Sequence, residues 1–207
     1  RDVAPSRGLG DVYKRQDMFR LPGIIRSTYI TSSPELQIQD MAVRTTSIKG
    51  GKAEVKVDAR VESYVKKAPE CSLKYEVFPV ELYGDATGDK VAELTTAKAS
   101  DVLTINNPKL WSAEEPNRYV LVASLLDKKG KVLDVTSTYF GVRTVEIRDT
   151  EAKDDEFGIA GRYFYVNDKP VKLKGVNRHE NNPSSGHAIS KEQMLKEVFL
   201  MKQGNIN

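Results

Sequence analysis

Residues 51–63, GKAEVKVDARVES, constrain the fold more than any other stretch. Ala53, Val55, Val57, Ala59 and Val61 alternate with Glu54, Lys56, Asp58, Arg60 and Glu62. Successive side chains of a strand point to opposite faces, so this period of two gives one apolar face and one charged face. A helix would spread the same valines around its circumference. The strand must therefore lie against a core on one side, and other strands must help to build that core. SIKGGK, just before it, supplies a Gly-Gly turn and predicts a hairpin of residues 35–48 with 51–63. Further strands read at 72–83, 90–95, 101–106, 117–127 and 130–140, the last two joined through the turn in LDKKGKVLD. Seven short strands over roughly 110 residues, with no helical stretch among them, predict a mainly β fold, an immunoglobulin-like β-sandwich over 34–141. Cys71 is the single cysteine, so the Cys…Trp…Cys pattern of antibody domains is missing and only the architecture carries over.

Composition removes several function classes. The chain has 207 residues, 39% of them hydrophobic and 29% charged, which suits one large or two small globular domains. No apolar run approaches the ~18 residues of a membrane-spanning helix, so no membrane partner is expected. The formal charge is +3, and Arg1, Arg7, Lys14 and Arg15 against Asp2 and Asp11 place +2 of it in residues 1–16. Nucleic-acid binding needs a basic face on the folded domain, so that partner is excluded as well. One cysteine permits neither an intrachain disulfide nor a Cys-rich metal site, and does not separate cytoplasm from periplasm. Residues 1–16 show neither period and hold the breakers Pro5, Gly8 and Gly10, so they read as an irregular tail rather than a binding arm. The chain does not start with Met, and its first residues lack the apolar core of a signal peptide, so any export signal is expected to be absent or already lost.

The pattern changes after residue 141. GRYFYVNDKPVKLKG (161–175) reads as strand, turn at Asn167-Asp168, strand. SKEQMLKEVFLMKQG (190–204) reads as a helix. Ser190 and Gln193 form a capping box, Met194, Val198 and Met201 form an apolar stripe with Leu195 and Phe199 beside it, and Gly204 is the terminator. Residues 170–204 are then strand, loop and helix, and Asn205-Ile206-Asn207 starts another strand, an order that predicts a parallel sheet. The loop, within LKGVNRHENNPSSGH (173–187), holds both histidines of the chain. It begins at the C-terminal end of the expected parallel strand, where barrels and open sheets place active-site residues. Arg178 suits an anion or a carboxylate, His179 suits proton transfer, a metal or a hydroxyl, and Glu180 suits orienting either neighbour. A plain solvated loop is the competing reading. His179 and His187 match no standard metal-ligand spacing, and His187 reads as a surface residue. Trp111 has two readings, a sugar-stacking platform or an apolar plug where a Pro-flanked loop folds back on the sandwich. The second is favoured because aromatic residues dominate core burial.

The stretch KPVKLKGVNRHENNPSSGHAISKEQMLKEVFLMKQGNIN (169–207) resembles the opening of the catalytic barrel of glycoside hydrolase family 2, and within it the bacterial β-galactosidases. NPKLWSAEEPNRYVL (107–121) is similar to the end of that family's sandwich domain, and FGVRTVEI (140–147) to its bridge into the barrel. QDMFRLPGIIRSTYI (16–30) is similar to the end of the preceding sugar-binding jelly roll. The resemblance implies four segments: a non-native leader at 1–15, the end of a jelly roll at 16–33, the sandwich at 34–141, and the start of a truncated (β/α)8 TIM barrel, its first βα unit, at 142–207.

It also implies roles. His179 stands at the family's substrate-contacting histidine. Asp17 stands at the jelly-roll aspartate that lines the galactose pocket and contacts sodium. Asn177, Arg178 and Glu180 match the motif and are expected to support the loop. Magnesium and sodium are expected as cofactors of the full-length parent, a terminal β-galactoside as its substrate, and a homo-oligomer as its assembly. Both catalytic glutamates of the family come from later barrel strands, beyond Asn207, so this chain alone is expected to be inactive. β-Glucuronidase and β-mannosidase are the sister activities. A non-catalytic carbohydrate-binding or scaffolding sandwich is the alternative from another class, and it would be favoured by a row of exposed aromatic residues.

Overall fold

The computed structural model describes residues 24–66, 69–81, 84, 86–155 and 158–206. They fall into two compact units, one within residues 31–173 and one pairing residues 24–30 with 174–206.

Among the described residues the larger unit holds ten strands: β1 (Leu36–Lys49), β2 (Lys52–Ser63), β3 (Cys71–Val80), β4 (Ala92–Thr96), β5 (Ser100–Asn106), β6 (Arg118–Asp127), β7 (Val132–Phe140), β8 (Val145–Thr150), β9 (Gly161–Val166) and β10 (Lys169–Val171). The first seven make the expected sandwich, with one sheet in the order β1-β2-β5 and the other in the order β4-β3-β6-β7. All neighbouring pairs are antiparallel. The fourth strand pairs with the third rather than with the fifth, unlike the constant-type immunoglobulin arrangement.

The period-two segment behaves as its pattern demands. Ala53, Val55 and Val57 are fully buried, and the charged alternates face outward. Tyr75, Val77, Leu103, Ile105, Leu121 and Leu125 meet them from the other strands. Gly50 and Gly51 both take positive φ, as a two-residue turn between Lys49 and Lys52 requires. Tyr119, at the start of β6, accepts a hydrogen bond on its hydroxyl from the Lys109 amide at 2.8 Å. This bond back to the upstream backbone is the counterpart of the tyrosine corner of immunoglobulin-like domains.

Trp111 is half-buried and sits where the sandwich chain leaves for the next sheet. Its amide donates to Val142 O at 3.0 Å, and the Arg143 guanidinium lies 3.9 Å from its ring centroid. A Cβ on Gly141 would meet the ring and its Cβ at 2.7 Å. A ring covered in this way is a packing element, in line with the plug reading.

Strands β8, β9 and β10 form a separate antiparallel sheet in the order β10-β9-β8. The expected turn is present: Asn167 and Asp168 have φ of 50° and 64°, the pair of left-handed residues of a type I′ hairpin. Two features differ from expectation. β8 was not foreseen as a strand, although Val145 and Ile147 alternating with Glu146 and Arg148 carry the signal. The expected parallel strand before the loop stops at Val171 and pairs antiparallel with β9. A parallel ladder needs a neighbour running the same way, and no described residue supplies one.

The smaller unit holds the one described α-helix, α1 (Lys191–Gln203). The Ser190 hydroxyl caps it by accepting from the Gln193 amide at 3.3 Å, which is half of the expected capping box. At the other end Gly204 keeps φ −78°, and Asn205 takes the left-handed turn at 57°. The Asn205 amide bonds Lys202 O and the Ile206 amide bonds Met201 O, a Schellman closure with asparagine where glycine is commoner.

Candidate functional site

The candidate loop follows β10 without forming a strand. Leu173 and Val176 are two-thirds and more than half exposed, and residues 172–180 have no regular secondary structure and are open to solvent. The order in this segment comes from polar side chains.

Asn182 organises the turn. Its side-chain oxygen accepts from the Ser184 amide at 2.8 Å and the Ser184 hydroxyl at 2.6 Å, while its backbone exchanges two 2.9 Å bonds with Gly186. Asn-Pro-Ser-Ser is a recognisable Asx-turn sequence, so this role was legible and was missed. His187 closes the same hook: its Nδ1 lies 2.6 Å from Glu180 O. A carbonyl only accepts, so Nδ1 carries the proton. His187 is half-buried and bonded rather than a bare surface residue.

The motif residues divide into held and open groups. Arg178 pairs with Glu197 of α1, and its Nη1 lies 3.9 Å from Glu180 Oε1. Glu180 pairs through its other oxygen with Arg26, whose Nη1 also donates to His187 O at 2.9 Å. Between these two anchored neighbours stands His179, exposed and, like Asn177, without a hydrogen bond among the described residues. An imidazole fixed by its neighbours and uncommitted itself is suited to bonding a hydroxyl group.

Asp17, the expected partner of His179 in substrate contact and the expected sodium contact, lies outside the described residues. Among the described residues no three His, Cys, Asp or Glu side chains converge as a metal site requires.

Comparison with known families decides the affiliation. Residues 36–143 match the family model for glycosyl hydrolases family 2, and residues 157–207 match that family's TIM barrel domain. The chain belongs to glycosyl hydrolase family 2. The sandwich of this family 2 chain is thus the family's sandwich domain, and the loop with α1 is the opening of its barrel domain.

A β-galactosidase from Priestia megaterium is 34% identical over 203 residues, covering 93% of this chain and 18% of that protein. A β-galactosidase from Pseudoalteromonas haloplanktis is 31% identical, covering 96% of this chain and again 18% of the relative. The family 2 chain therefore spans about a fifth of the length of the curated relatives it matches. Among solved structures, β-glucuronidase from Ruminococcus gnavus in complex with D-glucuronic acid aligns with a TM-score of 0.64 at 24% identity. That alignment covers 84% of this chain and 26% of that one, and shows the shared fold.

Proposed function

We propose that this chain provides the sandwich domain and the first substrate loop of a retaining β-galactosidase acting on terminal β-D-galactosides. The observation that carries this reading is identity of 31% or more to curated β-galactosidases along nearly the whole chain, motif loop included. In such an enzyme one carboxyl group protonates the leaving oxygen and a second, about 5 Å away, attacks the sugar to give a covalent glycosyl-enzyme. His179 assists without reacting. A neutral imidazole bonded to a sugar hydroxyl gains strength as the oxocarbenium-like state develops, so its contribution falls on the transition state.

The chain by itself is taken to be inactive. Glu180 and Glu197, the carboxylates beside the loop, are both held by arginines, and a nucleophile needs a paired acid/base group. β-Glucuronidase is the second reading, favoured by the fold shared with the Ruminococcus gnavus enzyme. A non-catalytic carbohydrate-binding or scaffolding sandwich is the alternative from another class, and its sugar-binding form is disfavoured because Arg143 covers the Trp111 ring.

The test grafts residues 16–207 in place of the matching segment of the Priestia megaterium β-galactosidase. The folded graft is expected to hydrolyse nitrophenyl β-galactoside and not nitrophenyl β-glucuronide. His179→Ala is expected to lower kcat about 100-fold, since a transition-state bond is lost. Preference for the glucuronide, or full activity in the His179→Ala graft, would overturn the reading.

A further inference from the structure

We propose that Arg26 is a positioning residue for His179. This rests on the reading of His179 as the substrate-contacting histidine. Arg26 lies more than 150 residues before the loop in sequence (|i−j| = 154 to Glu180), in the segment that joins 174–207 in one compact unit. It begins a line of alternating charges. Its guanidinium pairs with one oxygen of Glu180, the other oxygen of Glu180 faces Arg178 at 3.9 Å, and Arg178 pairs with Glu197 on α1. Both chain neighbours of His179 are members of this line, so the backbone on either side of the imidazole is fixed through it.

Arg26 makes a second bond that a simple ion pair lacks. Its Nη1 donates to His187 O at 2.9 Å, and His187 in turn donates to Glu180 O at 2.6 Å. The three residues close a ring of contacts around the turn at 182–186. An isolated exposed pair contributes little, but a network with a planar two-pronged donor sets geometry. Lysine keeps the charge and cannot present two prongs in a fixed plane, so charge and geometry can be separated.

The first test uses the 207-residue chain and reads its histidine side chains by nitrogen-15 NMR, where only His179 and His187 contribute. The wild-type chain is expected to show Nδ1-protonated His187. Arg26→Ala is expected to move the imidazole signals of both histidines, Arg26→Lys to leave them displaced, and the control Arg44→Ala to leave both in place. Unmoved signals in Arg26→Ala overturn the proposal.

The second test adds Arg26→Ala to the graft described above. It is expected to lower kcat about tenfold with KM little changed, as a misplaced contact does, and to add nothing in the His179→Ala background. If His179→Ala lowers kcat and Arg26→Ala does not, or if the two losses simply add, the positioning role falls while the β-galactosidase reading stands. If His179→Ala itself has no effect, both fall together.

Discussion

Asp58 shows how much a single outward-facing side chain of β2 carries. Its carboxylate accepts from Ser100 Oγ at 2.5 Å and lies 3.1 Å from Lys56 Nζ and 2.9 Å from an Arg44 nitrogen. Led by the Ser100 bond, these partners hold its pKa at about 2, below the ordinary 3.8. A carboxyl whose folded value is depressed stabilises the fold above its unfolded value and loses that contribution as pH falls through the folded one. The window is therefore about pH 4 down to about pH 2. Asp58→Asn is expected to lower the urea midpoint at neutral pH, with the gap to wild type closing across that window. A gap constant with pH would remove the assignment. Tyr75 shows the opposite economy: its hydroxyl is buried without a hydrogen-bond partner among the described residues, and burial pushes its pKa up to about 12. Neither environment was legible in sequence. Asp58 was visible as an outward charge, but its partners Arg44 and Ser100 come from β1 and β5, and only register brings them together.

Among the elements, the hairpin of β9 and β10 does more than turn the chain. Asn167 takes the left-handed conformation, donates from its side-chain amide to Trp111 O at 2.9 Å, and accepts from the Thr144 amide at 3.0 Å. The turn was legible, because Asn-Asp between two apolar runs is a hairpin signal. The stitch to Trp111, 56 residues away, was not. Asn167→Ala is expected to destabilise the 31–173 unit by about 2–3 kcal/mol, from left-handed strain and two part-buried backbone groups left unpaired. Asn167→Gly, which keeps the turn, is expected to cost about half of that. Urea denaturation of the two variants decides it, and equal losses would mean that the turn strain is negligible. Strand bounds in the sandwich were readable to within about three residues, since most of its strands alternate between a more buried and a more exposed face. The helix stops where expected, with Gly204 as its C-cap, and the left-handed turn falls one residue later on Asn205, since either residue tolerates it.

For the molecule as a whole, the two units differ in what holds them. The sandwich has a continuous buried core. Helix α1 buries none of its residues, and Leu195, Val198, Phe199 and Leu200 are 42–57% exposed. A 13-residue helix is marginal on its own intrinsic stability. Amides in β2, β3 and β6 are therefore expected to exchange with solvent at least about 100-fold more slowly than those of α1 and the loop at 176–189. Equal protection in the two units would show that the smaller one is held by more than its polar network. The boundary between the two compact units lies after residue 173, because β9 and β10 join β8 in the larger unit.

Alternation, turn residues and caps are local properties, written within a few residues of where they act. They were enough to determine the seven-strand sandwich, the two-residue turns, the helix and the loop before it, while the resemblance of its motif gave that loop its place at the opening of a family 2 barrel. Pairing between distant residues is not local. That β4 sits beside β3, that β10 runs antiparallel to β9, that Trp111 is closed over by Gly141 and Arg143, and that Arg26 reaches Glu180 were decided by the tertiary structure alone. Each depends on which surfaces meet once the core is buried, and no period in the chain encodes that meeting.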